Sequence, residues 1–187
     1  MSRKYKFHDQ EQLYFDTCTL VKWLDLFIRN EYKEILIDSW QYCINKKGLD
    51  LYGWCIMTSH THMIIGTHGE PMQNIMRDFK KFTSNKLIQA IIENPQESRK
   101  EWLLNIMKDA GESNSNNKKY QLWQQDSHPI ELYDNKITHQ KLDYTHDNPV
   151  TAGFVSKPED WLYSSARDYA GEKGLIKIEI IEPLLEL

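Results

Sequence analysis

The stretch Leu51-Tyr52-Gly53-Trp54-Cys55-Ile56-Met57-Thr58-Ser59-His60-Thr61-His62-Met63-Ile64-Ile65-Gly66 decides the fold. Two hydrophobic runs flank the polar pair Thr58-Ser59. The pattern predicts two strands, Leu51 to Thr58 and His60 to Gly66, joined by a very short turn. Successive side chains on a strand alternate between its faces, so His60 and His62 point the same way at the start of the second strand. Two neighbouring imidazoles are half of a metal site.

Upstream, Leu13 to Val21 reads as a strand with threonine and aromatic content. Residues from Glu31 to Lys46 carry a helical pattern in Tyr32, Ile35, Leu36, Ser39, Trp40 and Cys43, and Gly48 closes that helix. Downstream, a helix runs from Pro71 to about Glu93. The order is strand, helix, strand, strand, helix. One more strand completes a ferredoxin-like α/β (α+β) arrangement, an antiparallel sheet with helices packed on one face. Tyr120 to Gln124 is the candidate for it. Glu97 to Lys108 reads as a further helix, and the low-complexity run at residues 111–119 reads as a flexible hinge. The chain, residues 1–187, is expected to form a single domain.

Composition narrows the function. With 40% hydrophobic and 12% aromatic residues the chain can bury a core. No apolar run approaches the roughly 20 residues of a membrane span, and no basic leader precedes an apolar stretch, which predicts a soluble cytoplasmic protein without a membrane partner. The three cysteines, Cys18, Cys43 and Cys55, have no metal-ligand spacing and fit a reducing compartment. A net charge of −4 argues against nonspecific coating of nucleic acid, because such binding neutralises many phosphates. A local basic surface remains open. On the Pro71 helix, Arg77, Lys80, Lys81 and Ser84 are expected on one face and Ile75, Phe79, Phe82 and Ala90 on the other; taken alone, this is an ordinary solvated face. Lys118, Lys119 and His128 are further candidates for contact with a DNA backbone. Tyr52 and Trp54 would stack on bases if exposed, although Trp54 reads as core.

The second half of the site lies some eighty residues beyond the histidines. A helix is expected to begin at Asp134 or Asn135, both good N-caps, and to end at Asn148, because Pro149 disfavours helical geometry in the residue before it. On that helix Tyr144 and Asn148 stand four apart, so a nucleophile and an oxygen ligand share one face. Tyr120 and Tyr133 also follow the hinge, but their fourth residues onward are Gln124, in an expected strand, and Ile137. His128 and His146 read as exposed loop or helix surface. Histidine pair, tyrosine and asparagine together point to metal-assisted attack by a tyrosine.

These residues carry a family resemblance. The run Trp54 to Ile65, followed by Arg77-Asp78-Phe79-Lys80-Lys81-Phe82-Thr83-Ser84, resembles the core of the single-tyrosine HUH transposases. Tyr144-Thr145-His146-Asp147-Asn148-Pro149-Val150-Thr151-Ala152-Gly153-Phe154-Val155 resembles the second signature of their REP-associated branch. In order and spacing the likeness extends from about Tyr5 to Tyr169, and Trp123-Gln124-Gln125-Asp126 also looks like a family segment. The family pattern places a bulky hydrophobic residue between the histidines, where this chain has Thr61. That side chain should face away from the two ligands.

The resemblance implies that His60 and His62 bind a divalent metal, Mg²⁺ or Mn²⁺, that Asn148 completes the site, and that Tyr144 is the nucleophile. It implies a DNA transposase and endonuclease that cleaves and rejoins single-stranded DNA bearing a hairpin through a 5′-phosphotyrosine. The family includes homodimers, whose tyrosine helix serves the partner's metal site, as well as monomers. Other readings of the same residues are a noncatalytic nucleic-acid-binding module on this fold, a metal hydrolase that uses water, and a domesticated relative that cuts hairpins without moving itself.

Overall fold

The computed structural model describes residues 6–113, 119–125 and 127–182. Strands β1 (Leu13–Thr19), β2 (Leu49–Ile56), β3 (His60–Thr67) and β4 (Ile130–Leu132) form one antiparallel sheet in the order β2-β3-β1-β4. Helix α1 (Asn30–Lys47) joins β1 to β2, and β3 inserts between them. This is the split βαβ of a ferredoxin-like fold, an α+β architecture. Gly48 ends α1 in the left-handed region at φ +73°, and a Cβ there would come within 2.7 Å of Gly69 backbone atoms, so the turn into β2 requires glycine.

Helices α1 and α2 (Met72–Glu93) pack on one face of the sheet. Between them and the strands lies the main core, with Trp40, Trp54, Leu51, Met63, Ile65 and Phe79 all buried. Thr61 is fully buried and, from the strand alternation, faces this layer, away from the histidines as expected. The second face is covered by α4 (Asn135–Thr151), whose Leu142 packs with Phe15, Ile64 and Leu132. Gly53 on β2 permits that approach, since a Cβ there would meet Leu142 Cδ1 at 2.8 Å. The outer edge of β2 is occupied by residues 163–165: Ile56 N–H donates to the Tyr163 carbonyl and Trp54 N–H to Ser165 Oγ, each at 2.9 Å.

Three expectations are corrected. The fourth strand is Ile130–Leu132, paired with Leu13–Phe15, whereas Tyr120 to Gln124 makes only a single bridge from Trp123 to Leu20. Trp123 donates its indole N–H to Thr83 Oγ1 at 3.0 Å inside the core. Along β1 the backbone of the segment bonds only at that strand's end, Val21 N–H to the Leu122 carbonyl and Gln124 N–H to the Thr19 carbonyl, so pairing stops after the one bridge. Helix α4 does not stop at Asn148 but runs through Pro149 to Thr151. Beyond the proline, Ala152, Gly153 and Phe154 N–H groups donate to the Asn148, Val150 and Pro149 carbonyls, so the last turn is held despite the missing proline donor. On α2 the buried stripe is rotated toward Met76, Thr83 and Leu87, because the helix also packs against α3 (Lys100–Glu112). Phe82 is therefore exposed, and Lys80 turns inward to donate to Ser127 Oγ at 2.8 Å.

Residues 111 and 112 of the expected hinge belong to α3, while residues 114–118, with Lys118, lie outside the described residues, as does Asp126. No helix among the described residues is long and apolar enough to cross a membrane.

Candidate active site

Strand register builds the site from the sheet. On β1, Thr17 pairs with His62 and Thr19 with His60, so a polar row runs across two central strands on the α4 face. Thr17 Oγ1 lies 2.9 Å from His62 Nδ1, and Ser59 Oγ lies 3.1 Å from His60 Nδ1. Each imidazole is thereby held by its Nδ1, which leaves Nε2 available as a ligand atom. The two rings are 4.8 Å apart, and Phe15 stacks against His62 at 5.5 Å.

Helix α4 supplies the other side. Asp134 caps it by accepting from Lys136 N–H at 2.6 Å. Nearly three turns on, the Tyr144 ring stands 5.1 Å from His62 and 5.9 Å from Phe15, with half of its surface exposed. Asn148, one turn later, donates from Nδ2 to the Tyr144 carbonyl at 2.8 Å. The Lys141 ammonium lies 4.8 Å from the Phe15 ring centre and 5.5 Å from that of Tyr144. A cation thus stands between the two rings.

Burial holds both histidines neutral. It lowers the pKa of His60, and it lowers that of His62 to about 3, with repulsion from the Lys141 ammonium, and from His60 whenever that ring is protonated, adding to the effect and the Asn148 amide opposing it. Neutral imidazoles are the form that ligates metal. His62 Nε2 is buried and faces the Asn148 amide without closing a full hydrogen bond to it. Leaving such an atom unpaired costs about 1–3 kcal/mol. In the tautomer that donates from Nδ1 to Thr17, Nε2 directs its lone pair toward the space bounded by His60, Tyr144 and Asn148. A divalent ion fits that donor set. No cluster of three or more His, Cys, Asp or Glu suited to a metal occurs among the described residues, so the amide oxygen of Asn148 and oxygens from substrate or water would complete the coordination.

The remaining candidates are dispersed. Arg77 and Lys81 are exposed on α2, across the sheet from the histidines, and Arg77 is bonded to Asp78 and Asn74. Lys119 is exposed with its ammonium 5.0 Å from the Tyr120 ring centre. His128 is exposed, near enough to the buried Asp16 for their charges to interact. Trp54 is fully buried, and Tyr52 is half-buried. His146 is not on the surface: it is buried, its Nε2 lies 2.8 Å from Ser165 Oγ, and burial lowers its pKa to about 4.

Thr17, Ser59, Phe15 and Lys141 escaped the sequence reading. Lys141 was accessible to it, three residues before Tyr144 on the same helical face. Thr17 was visible only as one member of the alternation Phe15, Thr17, Thr19; its pairing with His62 depends on register between distant strands.

A histidine pair on a ferredoxin-like sheet, faced by a tyrosine from a later helix, defines the class of single-tyrosine transposases. Within it, this chain belongs to the IS200-like transposase family, whose model matches residues 10–107, a span that includes both histidines and ends before Tyr144. The solved structure of a REP-associated tyrosine transposase bound to a REP hairpin has the same fold: it aligns over 99% of this chain and 96% of that one, with a TM-score of 0.64 and 15% identity. A candidate transposase from Deinococcus radiodurans R1 aligns over 78% of this chain and 98% of its own at 12% identity, with a TM-score of 0.42, too distant to bear on the fold. No curated protein gives a significant match.

Proposed function

We propose that this protein, acting as one HUH-type domain, cleaves and rejoins hairpin-bearing single-stranded DNA. In this reading Tyr144 is the nucleophile, and His60, His62 and Asn148 hold a divalent ion. The observation that carries it is the pairing of a buried, unpartnered His62 Nε2 with a Tyr144 ring 5.1 Å away on the same imidazole. The preference for a hairpin is supported by the relative solved with a REP hairpin.

Mg²⁺ or Mn²⁺ would draw charge from a nonbridging oxygen of the scissile phosphate and fix it for in-line displacement. The chain's own groups do the rest. Thr17 and Ser59 orient the imidazoles, as the outer partners of ligating histidines do elsewhere. Lys141 offers a positive charge beside the attacking phenol. The Tyr144 oxygen forms a bond to phosphorus as the bond from phosphorus to the 3′ oxygen breaks. The electron pair of that bond stays on the 3′ oxygen, and the proton lost by tyrosine balances the new 3′-hydroxyl. Because the phosphotyrosine retains the energy of a phosphodiester, the reverse attack by another 3′-hydroxyl needs no nucleotide cofactor.

The test is to incubate wild-type and Tyr144→Phe protein with end-labelled single-stranded hairpins from the DNA flanking the gene, in Mn²⁺ or in EDTA, and to resolve the products by denaturing electrophoresis. We expect a covalent protein–DNA adduct that requires metal and is absent from the variant, while hairpin binding persists. Cleavage without an adduct, surviving in Tyr144→Phe, would replace this reading with a hydrolase. Binding without cleavage in any metal would leave a noncatalytic module.

A further inference from the structure

Immediately after β1 the chain makes a turn, Val21–Trp23, in which Lys22 (φ 52°) and Trp23 (φ 55°) both adopt left-handed backbone, the only two non-glycine residues to do so among those described. Two such residues in succession persist only where their surroundings impose them. Here the surroundings are explicit. Leu20 N–H donates to the Ser59 carbonyl at 2.9 Å, Val21 N–H to the Leu122 carbonyl at 2.8 Å, and Gln124 Nε2 to the Leu20 carbonyl at 3.0 Å. Leu20, Val21 and Leu24 are buried. The result is an indole held outside the core, 60% exposed, with its ring centre 5.5 Å from that of His60 at an angle of 75°. Trp23 also forms one wall of a cleft of about 620 Å³, together with Lys22, Ile106, Ala110, Gln124 and Gln125.

Direction along β3 gives this tryptophan a role. Tyr144 contacts His62 and Phe15, and Phe15 pairs with Ile64, beyond His62. Trp23 contacts His60, at the other end of the pair. The rings thus run in the order Tyr144, His62, His60, Trp23, with centroid steps of 5.1, 4.8 and 5.5 Å. In an in-line displacement the leaving oxygen departs on the side opposite the nucleophile. A phosphate held at the histidines and attacked by Tyr144 would therefore release its 3′ oxygen toward Trp23.

Resting on the proposed cleavage chemistry, we propose that Trp23 is the stacking platform for the base of the nucleotide whose 3′-hydroxyl leaves, the one immediately 5′ of the cut. An exposed indole accepts any base on its face, and Lys22 supplies a cation for the adjoining backbone. Holding this base keeps the freed 3′-hydroxyl at the histidines, where it is positioned for rejoining.

The experiment uses the full chain with hairpin oligonucleotides from the flanking DNA that carry 2-aminopurine singly at the base 5′ or 3′ of the mapped cut. Wild-type protein should quench the 5′ probe strongly. Trp23→Ala should abolish that quenching and weaken binding of the 5′-side strand roughly 10-fold or more, whereas Trp23→Phe should restore most of both. An abasic site at the same nucleotide should cause a similar loss in wild type and little further loss in Trp23→Ala. Unchanged quenching and affinity in Trp23→Ala, or losses confined to the 3′ probe, would overturn the proposal while the Tyr144 adduct still formed. A wild-type protein that forms no adduct with any hairpin would remove the cleavage reading and this proposal with it.

Discussion

Thr17 is the residue on which the proposed metal site turns, although it is not itself one of the proposed ligands. Its hydroxyl, 2.9 Å from His62 Nδ1, fixes the orientation of the ring and so the direction of Nε2. Replacing it with valine keeps the shape and removes the partner. Thr17→Val should lower Mn²⁺ affinity by about 10- to 100-fold, measurable by calorimetric titration, with His62→Ala as the fully disabled reference; unchanged affinity would show that packing alone orients the ring. Burial of histidine also writes a pH dependence into stability. The pKa values of His62 and His146 fall to about 3 and about 4 in the folded chain, against about 6.5 unfolded. Below 6.5 the unfolded chain takes up protons that the folded one refuses. The stabilisation is therefore whole above pH 6.5 and is lost as pH falls toward about 4 for His146 and about 3 for His62. Urea unfolding in EDTA should show a loss on the order of 2 kcal/mol per buried histidine between pH 6.5 and 5. The slope should be shallower in His146→Gln, whose amide can still reach Ser165.

At the scale of elements, the seat of α4 on the sheet decides where Tyr144 stands. Leu142 rests against Gly53 of β2, where any Cβ would come within 2.8 Å of its Cδ1. Gly53→Val introduces a residue with good strand propensity yet forces Leu142, and with it the Tyr144 turn, away from the sheet. Cleavage should fall by about 10- to 100-fold, with hairpin affinity and cooperative unfolding largely retained, as followed by adduct yield beside gel shift and thermal melts. Full cleavage would mean that Leu142 repacks without moving the helix. The two long helices on the opposite face were readable because their apolar spacing persists over many turns. The rotation of α2 that exposes Phe82 and turns Lys80 toward Ser127 was not, because it answers to α3 and Trp123, partners that periodicity within one helix does not reveal.

At the scale of the molecule, Tyr144 lies beside His62 of its own chain, so the candidate site is complete within one copy. Mixing His62→Ala protein with Tyr144→Phe protein should therefore yield no adduct; recovery of activity in the mixture would mean that a homodimer exchanges its tyrosine helices. The fold class, the histidine pair on one strand face, and Tyr144 with Asn148 on one helix are legible in the order of residues alone. These follow from local periodicity, which the chain carries wherever it folds. That order does not reveal that Ile130–Leu132 is the fourth strand, that Pro149 lies within α4, that His146 is buried, or that Thr17 and Trp23 flank the histidines. The passage through Pro149 is held by hydrogen bonds within its own turn; each of the others depends on a contact between segments far apart in sequence, where the energy of packing or of a long-range hydrogen bond outweighs the local preference of the residues involved. Only the tertiary structure decides such contests.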